Sequence, residues 1–378
     1  MPAGMVLLVV VVAMVLAMFM SADAINRKAA GRRGNSEWRK TTANAVFTFS
    51  DTFKLDAPSK AVEDAVAPLL GREQRTTGTN NLDELLAEAG LPTDTTAPST
   101  EPPSTEPGAS VPEQVTTTTI DNRPKLPTPT PTSPLKLWVG GDSISYDFGI
   151  AVENIALESK LFTVTRDSRA STGLTRPDYF NWPENLVRNV ITDQDPDVIM
   201  VMFGANDAQN IPMPPPIGGY VLGSEEWRTE YRDRVGKTMD LLRSPENDRV
   251  VMWVGQPIMG PQSGVEHLDQ INYIYYTEAK KRPWVQYFDA YPFFSDASGA
   301  YVKSLPNADG VEHVMRANDN IHLSTFGANR LGWAVLNRLG TIVDLSKGEV
   351  VPDPAAQAPA DVVERTDIPP GEGQNPYP

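Results

Sequence analysis

The chain has 378 residues, a formal net charge of −15 at pH 7, no cysteine and three histidines, His267, His313 and His322. The acidic balance argues against nucleic acid as a partner, because neutralising phosphates takes clustered Lys and Arg. The missing cysteines exclude disulfides, thiolate nucleophiles and Cys-based metal centres; so few histidines argue against a histidine-rich metal site, and no metal or cofactor is expected.

Met1 to Ala22 carries no ionisable side chain, and Met5 to Met20 is an unbroken apolar run. With its neighbours this run approaches the roughly 20 residues that cross a bilayer. Residues 1–24 therefore read as a membrane anchor or signal segment. Ala22-Asp23-Ala24 has the small-x-small form of a cleavage site, and cleavage would make the protein secreted. The run is long for a cleaved segment and no Lys or Arg precedes it, which favours an uncleaved single-pass anchor in the cell membrane. Arg27, Lys28, Arg32, Arg33, Arg39 and Lys40 follow the span, and the positive-inside tendency would hold that flank in the cytoplasm.

Residues 25–90 form a juxtamembrane region in which Lys60 to Leu70 and Asn81 to Ala89 have apolar residues near helical spacing and predict short helices. Leu91 to Pro134 holds 11 Pro, 12 Thr and 4 Ser in 44 residues. That composition cannot bury a core, so 91–134 reads as a linker able to extend up to about 130 Å at about 3.1 Å per residue. Such stalks are typical outside cells, which supports an extracytoplasmic domain. The tail, residues 346–378, is rich in Pro, Ala, Asp and Glu and reads as disordered.

Residues 135–345 alternate short apolar runs with longer amphipathic segments. Leu137 to Val139, Phe162 to Thr165, Val198 to Phe203, Val250 to Val254 and Val285 to Phe288 predict buried strands. Between and after them, Ser145 to Ser159, Pro183 to Thr192, Ser224 to Arg243, Val265 to Lys281 and Ser324 to Ile342 predict helices. The pattern is βαβ, which implies a parallel sheet in a three-layer α/β/α domain. Ligands of such sheets bind beyond the carboxyl ends of the strands.

Three short motifs fall at those ends. Gly141-Asp142-Ser143 follows the first strand and precedes a helix, so its glycine permits a sharp turn and Ser143 stands at a helix N-terminus that favours a developing anion. Gly204-Ala205-Asn206-Asp207 closes the third strand and leaves the Asn206 amide placed to donate to an oxyanion. Asp319 and His322, three residues apart before the last helix, can share one tight loop in which the carboxylate orients the imidazole that takes the Ser143 proton. Each motif alone also fits something plainer: an N-cap serine, a turn, a capping Asp beside a surface His. His267 and His313 each follow a Glu without metal-ligand spacing and read as surface residues. Tyr179, Phe180 and Trp182, with the four-proline loop 211–219, fit either a pocket wall or rim packing.

The ordered set resembles the SGNH, or GDSL-type, hydrolase superfamily over residues 135–342. The resemblance implies Ser143, His322 and Asp319 as the catalytic triad. It implies an oxyanion hole from Ser143, Gly173 of Ser171-Thr172-Gly173-Leu174, and Asn206. The Arg316-x-x-Asp319-x-x-His322 context, the 173–178 run and the apolar N-terminus look most like a membrane-associated bacterial cell-envelope branch. A flavodoxin-like five-stranded parallel sheet of order 2-1-3-4-5 is implied with it.

The expected activity is that of a serine-dependent esterase removing short acyl groups from a cell-envelope carbohydrate or related small ester, held to the membrane by its N-terminal segment. An O-acyltransferase using the same acyl-enzyme and a non-catalytic envelope binding module on the same fold are the alternatives.

Overall fold

The structure, a computed structural model, describes residues 80–93, 124–214, 217–244, 248–348 and 353–365. The apolar segment 1–24, the helix expected at Lys60 to Leu70 and the middle of the Pro/Thr-rich stretch lie outside the described residues. Among the described residues no helix is long and apolar enough to cross a membrane.

Five parallel strands make the central sheet: β1 (Leu135–Gly141), β2 (Phe162–Ser168), β3 (Val198–Met202), β4 (Val250–Val254) and β5 (Val285–Phe288). Their order is β2-β1-β3-β4-β5, the order that the resemblance implies. Both faces of the sheet are covered, and alternate residues feed two cores. Leu137, Val139, Met200 and Met252 point to one, Trp138, Val201, Val251 and Trp253 to the other.

On the first face lie α2 (Ile144–Ser159) and the last long helix (Thr325–Gly340). On the second lie α3, which starts at Trp182–Asn185 and continues as a π-helical stretch Leu186–Thr192, α4 (Glu225–Leu241) and α5 (Leu268–Lys280). The helix Thr325–Gly340 is α6. Side chains fix the starts: Asn181 accepts from Glu184 N–H, Ser224 from Trp227 N–H, and Ser324 from Gly327 N–H. Periodicity predicts the second helix as regular throughout; Leu186 and Val190 keep one apolar face across the π stretch, so the sequence pattern cannot reveal it.

Three boundaries differ from those expected. First, the helix α1 (Leu82–Glu88) does not stand apart in a juxtamembrane region. Its Leu82, Leu85 and Leu86 pack with Leu241 of α4, Lys237 bridges to Asp83 at 2.7 Å, and Asn181 donates to Asn81 at 2.7 Å. Second, the downstream end of the presumed linker is folded: Leu126 packs against the first core, and Thr130 bridges Ser133. Described segments packed on the domain therefore flank the Pro/Thr-rich stretch on both sides. Third, residues 353–365 of the expected disordered tail are packed: Ala356 is buried, and Arg365 reaches Asp289 at 3.4 Å. Short apolar contacts bind these segments, and a composition average over a Pro-rich stretch does not register them.

Leu85 has no exposed surface, so Leu85→Ala is expected to cost about 2–4 kcal/mol. Urea unfolding should show a lower midpoint with an unchanged m-value; an unshifted midpoint would show α1 to be undocked.

Candidate active site

β1 and β3 lie side by side and end together, Gly141 opposite Met202, while Gly141 also faces Ser168 at the end of β2. The three loops that follow these strands therefore leave one edge of the sheet. Gly141 has φ +147°, and an added Cβ would lie 2.0 Å from the Met202 carbonyl oxygen, so only glycine lets the chain turn this close to its neighbour.

Beyond that turn Asp142 is fully buried, and its two oxygens tie two loops together. Oδ1 accepts from Ile144 N–H at 2.9 Å, starting α2, and Oδ2 accepts from Gly204 N–H at 3.1 Å. Burial, helped by the charge of Asp207, pushes the Asp142 carboxyl up to about 7 against these backbone donors.

Ser143 precedes α2 but makes no side-chain capping bond. The plain N-cap reading fails, because its Oγ lies 2.8 Å from Nε2 of His322. Nδ1 of the same ring lies 2.7 Å from Oδ2 of Asp319. Asp319 is not a helix cap either, since Ser324 caps α6. Burial pushes the Asp319 carboxyl up, but the His322 side chain and the N–H groups of Ile321 and His322 outweigh it and hold Asp319 at about 2. An ionised carboxylate only accepts, so the Nδ1 proton faces Asp319 and the neutral ring's Nε2 accepts from the Ser143 hydroxyl. Burial alone would lower the His322 pKa; Asp319, with the charges of Asp142 and Asp147, raises it above 6.5.

The Asn206 amide nitrogen is buried and has no hydrogen-bond partner among the described residues. A buried donor left free is costly unless something else accepts from it. Gly173 is buried over a second interior carboxylate, Asp207, whose Oδ1 takes Thr175 N–H at 2.8 Å and the Thr175 hydroxyl at 3.0 Å. Its Oδ2 accepts from the Tyr231 hydroxyl at 2.7 Å, which lies 2.6 Å from that of Tyr275. Burial raises the Asp207 pKa, and these donors oppose it. Arg234 completes the clamp from α4 by donating to the carbonyls of Leu174 and Thr175. Asp207 belongs to the Gly204–Asp207 motif, but nothing in the sequence pairs it with Tyr231 and Tyr275, which lie in two other helices.

The family model described as "Protein of unknown function (DUF459)" matches residues 136–338, which include the Ser143, Gly173, Asn206, Asp319 and His322 loops. The chain belongs to the DUF459 family. No curated protein matches the chain. Among solved structures, a gut microbial diltiazem-metabolizing enzyme aligns at 13% identity and TM-score 0.38, over 58% of this chain and 49% of its own, so this chain spans about half of that one. A carbohydrate acetylesterase from Sinorhizobium meliloti aligns at 15% identity and TM-score 0.38, over 55% and 99%. An inhibitor-bound aryl esterase from M. Smegmatis aligns at 15% and 0.35, over 55% and 100%. Likenesses of this size do not assign an activity.

The other candidate side chains of this DUF459 protein lie elsewhere. His267 sits beside Gly223 ahead of α5, and His313 stacks on Phe326 at 3.9 Å. Of the three aromatics after Gly173, Trp182 and Phe180 are core: Trp182 packs on Trp138 and Phe203 and donates to Thr172 at 2.8 Å. Tyr179 is exposed.

A Cβ at Gly173 would stand 2.2 Å from Oδ1 of Asp207. Gly173→Ala should therefore overpack the site, cost about 1–3 kcal/mol, and lower the thermal midpoint followed by circular dichroism. An unchanged midpoint would refute the close contact.

Proposed function

We propose that this DUF459 protein is a serine-dependent esterase that removes short acyl groups, such as acetyl, from a cell-envelope carbohydrate or related ester outside the cytoplasm. One observation carries the reading: an unbroken hydrogen-bond line from Ser143 Oγ through both nitrogens of His322 to Asp319, with a buried Asn206 amide donor, on the loop after the neighbouring strand, that has no acceptor among the described residues. The apolar N-terminal run supports the location.

The chemistry follows from the roles of these atoms. Nε2 of His322 takes the Ser143 proton as Oγ bonds to the ester carbonyl carbon, and Asp319 stabilises the imidazolium that forms. The carbonyl oxygen becomes an oxyanion, met by the Asn206 amide and the backbone N–H groups of Ser143 and Gly173. His322 returns its proton to the departing alcohol, leaving an acyl-Ser143. Water, deprotonated by the same nitrogen, then releases the acid and regenerates the hydroxyl. A pure binding module has no need of a free buried donor beside a serine–histidine pair.

The full-length protein is expected to hydrolyse an aryl acetate and to label stoichiometrically with a fluorophosphonate, with both signals lost in Ser143→Ala. Absence of hydrolysis and labelling in folded wild-type protein would sink the proposal. Asn206→Ala should lower kcat by about 10²–10³ with KM little changed.

His322 must be neutral to act as a base, and its pKa is raised, so kcat/KM should fall as pH drops through an inflection above 6.5. Asp319→Asn removes the charge that raises it, and the inflection of the residual activity should move to lower pH. An inflection that moves upward would contradict the assignment.

A further inference from the structure

The loop that carries Asp319 and His322 is closed on itself. Arg316 and Leu323 form an isolated antiparallel bridge, Ala317 N–H donates to the His322 carbonyl at 2.9 Å, and Asn320 N–H donates to Ala317 at 3.2 Å. Such a turn has a defined shape, but nothing inside it sets where it stands relative to Ser143. That placement needs contacts from outside the turn.

Two such contacts come from the segment after β4. Gly260 N–H donates to the Asn320 carbonyl at 3.1 Å. The stronger one is made by Arg316, one of the largest fully buried side chains, with 2% of its surface exposed. Its Nη1 donates to the Ile321 carbonyl at 2.9 Å, directly before His322, and its Nη2 donates to the Ile258 carbonyl at 2.6 Å. The guanidinium lies over the Phe294 ring, 4.7 Å from its centroid. Among the described residues it has no ion-pair partner, and its Nε is buried without a hydrogen-bond acceptor.

That arrangement is an expensive way to fill space. A buried cation without a carboxylate loses its hydration, and carbonyl dipoles with an aromatic face return only part of it. A well-packed apolar side chain would serve stability as well or better. A planar fork, by contrast, can hold two carbonyls from different segments at a fixed separation, which no apolar side chain does and a lysine does only in part.

We propose that Arg316 is a positioning residue for His322: by spanning the carbonyls of Ile321 and Ile258, it sets the distance of the His322–Asp319 loop from Ser143. Its kinetic consequence rests on the esterase reading; its geometric consequence does not. Burial draws the Arg316 guanidinium down to about 10, which still leaves it charged at neutral pH.

The test uses the full chain with ¹³C-labelled histidine Cε1. Only three histidines are present, and His322→Gln assigns the resonance. The His322 ring is faced by Asp319 from its own loop and by Asp142 and Asp147 from the start of α2, so its titration reports how the loop stands against both. In Arg316→Met the His322 pKa is expected to differ from that of wild type, as the ring changes its distance from Asp142 and Asp147, while the protein stays folded. On an aryl acetate, kcat is expected to drop about 10²-fold, the effect of a displacement on the order of 1 Å, with KM within about threefold. Arg316→Lys, keeping the charge and one donor, should recover part of both effects; where the Met variant does not fold, the Lys variant decides. A folded variant that lowers only the unfolding midpoint, with the His322 titration and kcat as in wild type, overturns the proposal. If wild-type protein shows no hydrolysis, the esterase reading fails, and the His322 titration still decides the role of Arg316.

Discussion

The Asp142 carboxylate joins the two strand ends from which the site is built. One oxygen takes the first free N–H of α2 and the other takes Gly204 N–H at the end of β3. The serine-bearing turn and the Asn206-bearing turn are thus held to a single rigid group. The cost is visible in its raised pKa, since two backbone donors only partly replace lost hydration. Asp207 repeats the device one loop further on, beneath Gly173, with Thr175 and Tyr231 as donors. The second carboxylate is itself one cause of the first one's raised pKa. Two mutually repelling buried acids are poor for stability, yet together they fix three loops, the ones that would carry the oxyanion donors of the proposed esterase.

Much of this was legible from the sequence because it rests on local rules. Fully buried parallel strands read as short apolar runs, and β4 and β5 match their predicted spans end to end. Gly141, Ser143, Asn206, Asp319 and His322 sit where strands stop or helices start, and composition breaks mark those places. What was not legible depends on contacts between distant segments. Three leucines of α1 look like any short amphipathic piece until α4 is there to cover them. Arg316 stands out in sequence only by its place before Asp319 and His322, and only the fold reveals that Ile258 and Phe294 enclose it. Tyr231 and Tyr275 have the spacing of core residues, and their meeting over Asp207 is a tertiary fact.

Ser143 and His322 are 179 residues apart in the chain, so their 2.8 Å separation must be set by packing. Ser143 and Ser324 open α2 and α6, which run in the same direction on one face of the sheet. These helices touch where Gly332 meets Ala151: a Cβ on Gly332 would come within 3.2 Å of the Ala151 Cβ. Ala151 lies as far along its helix from Ser143 as Gly332 does from Ser324. With the same rise per residue in both helices, that contact puts the two helix starts at one level above the sheet. The apolar core therefore brings His322, two residues before Ser324, to the height of Ser143, and the polar braces around Asp142 and Arg316 act over the short distance that remains. A larger residue at Gly332 would separate the pair without touching either member.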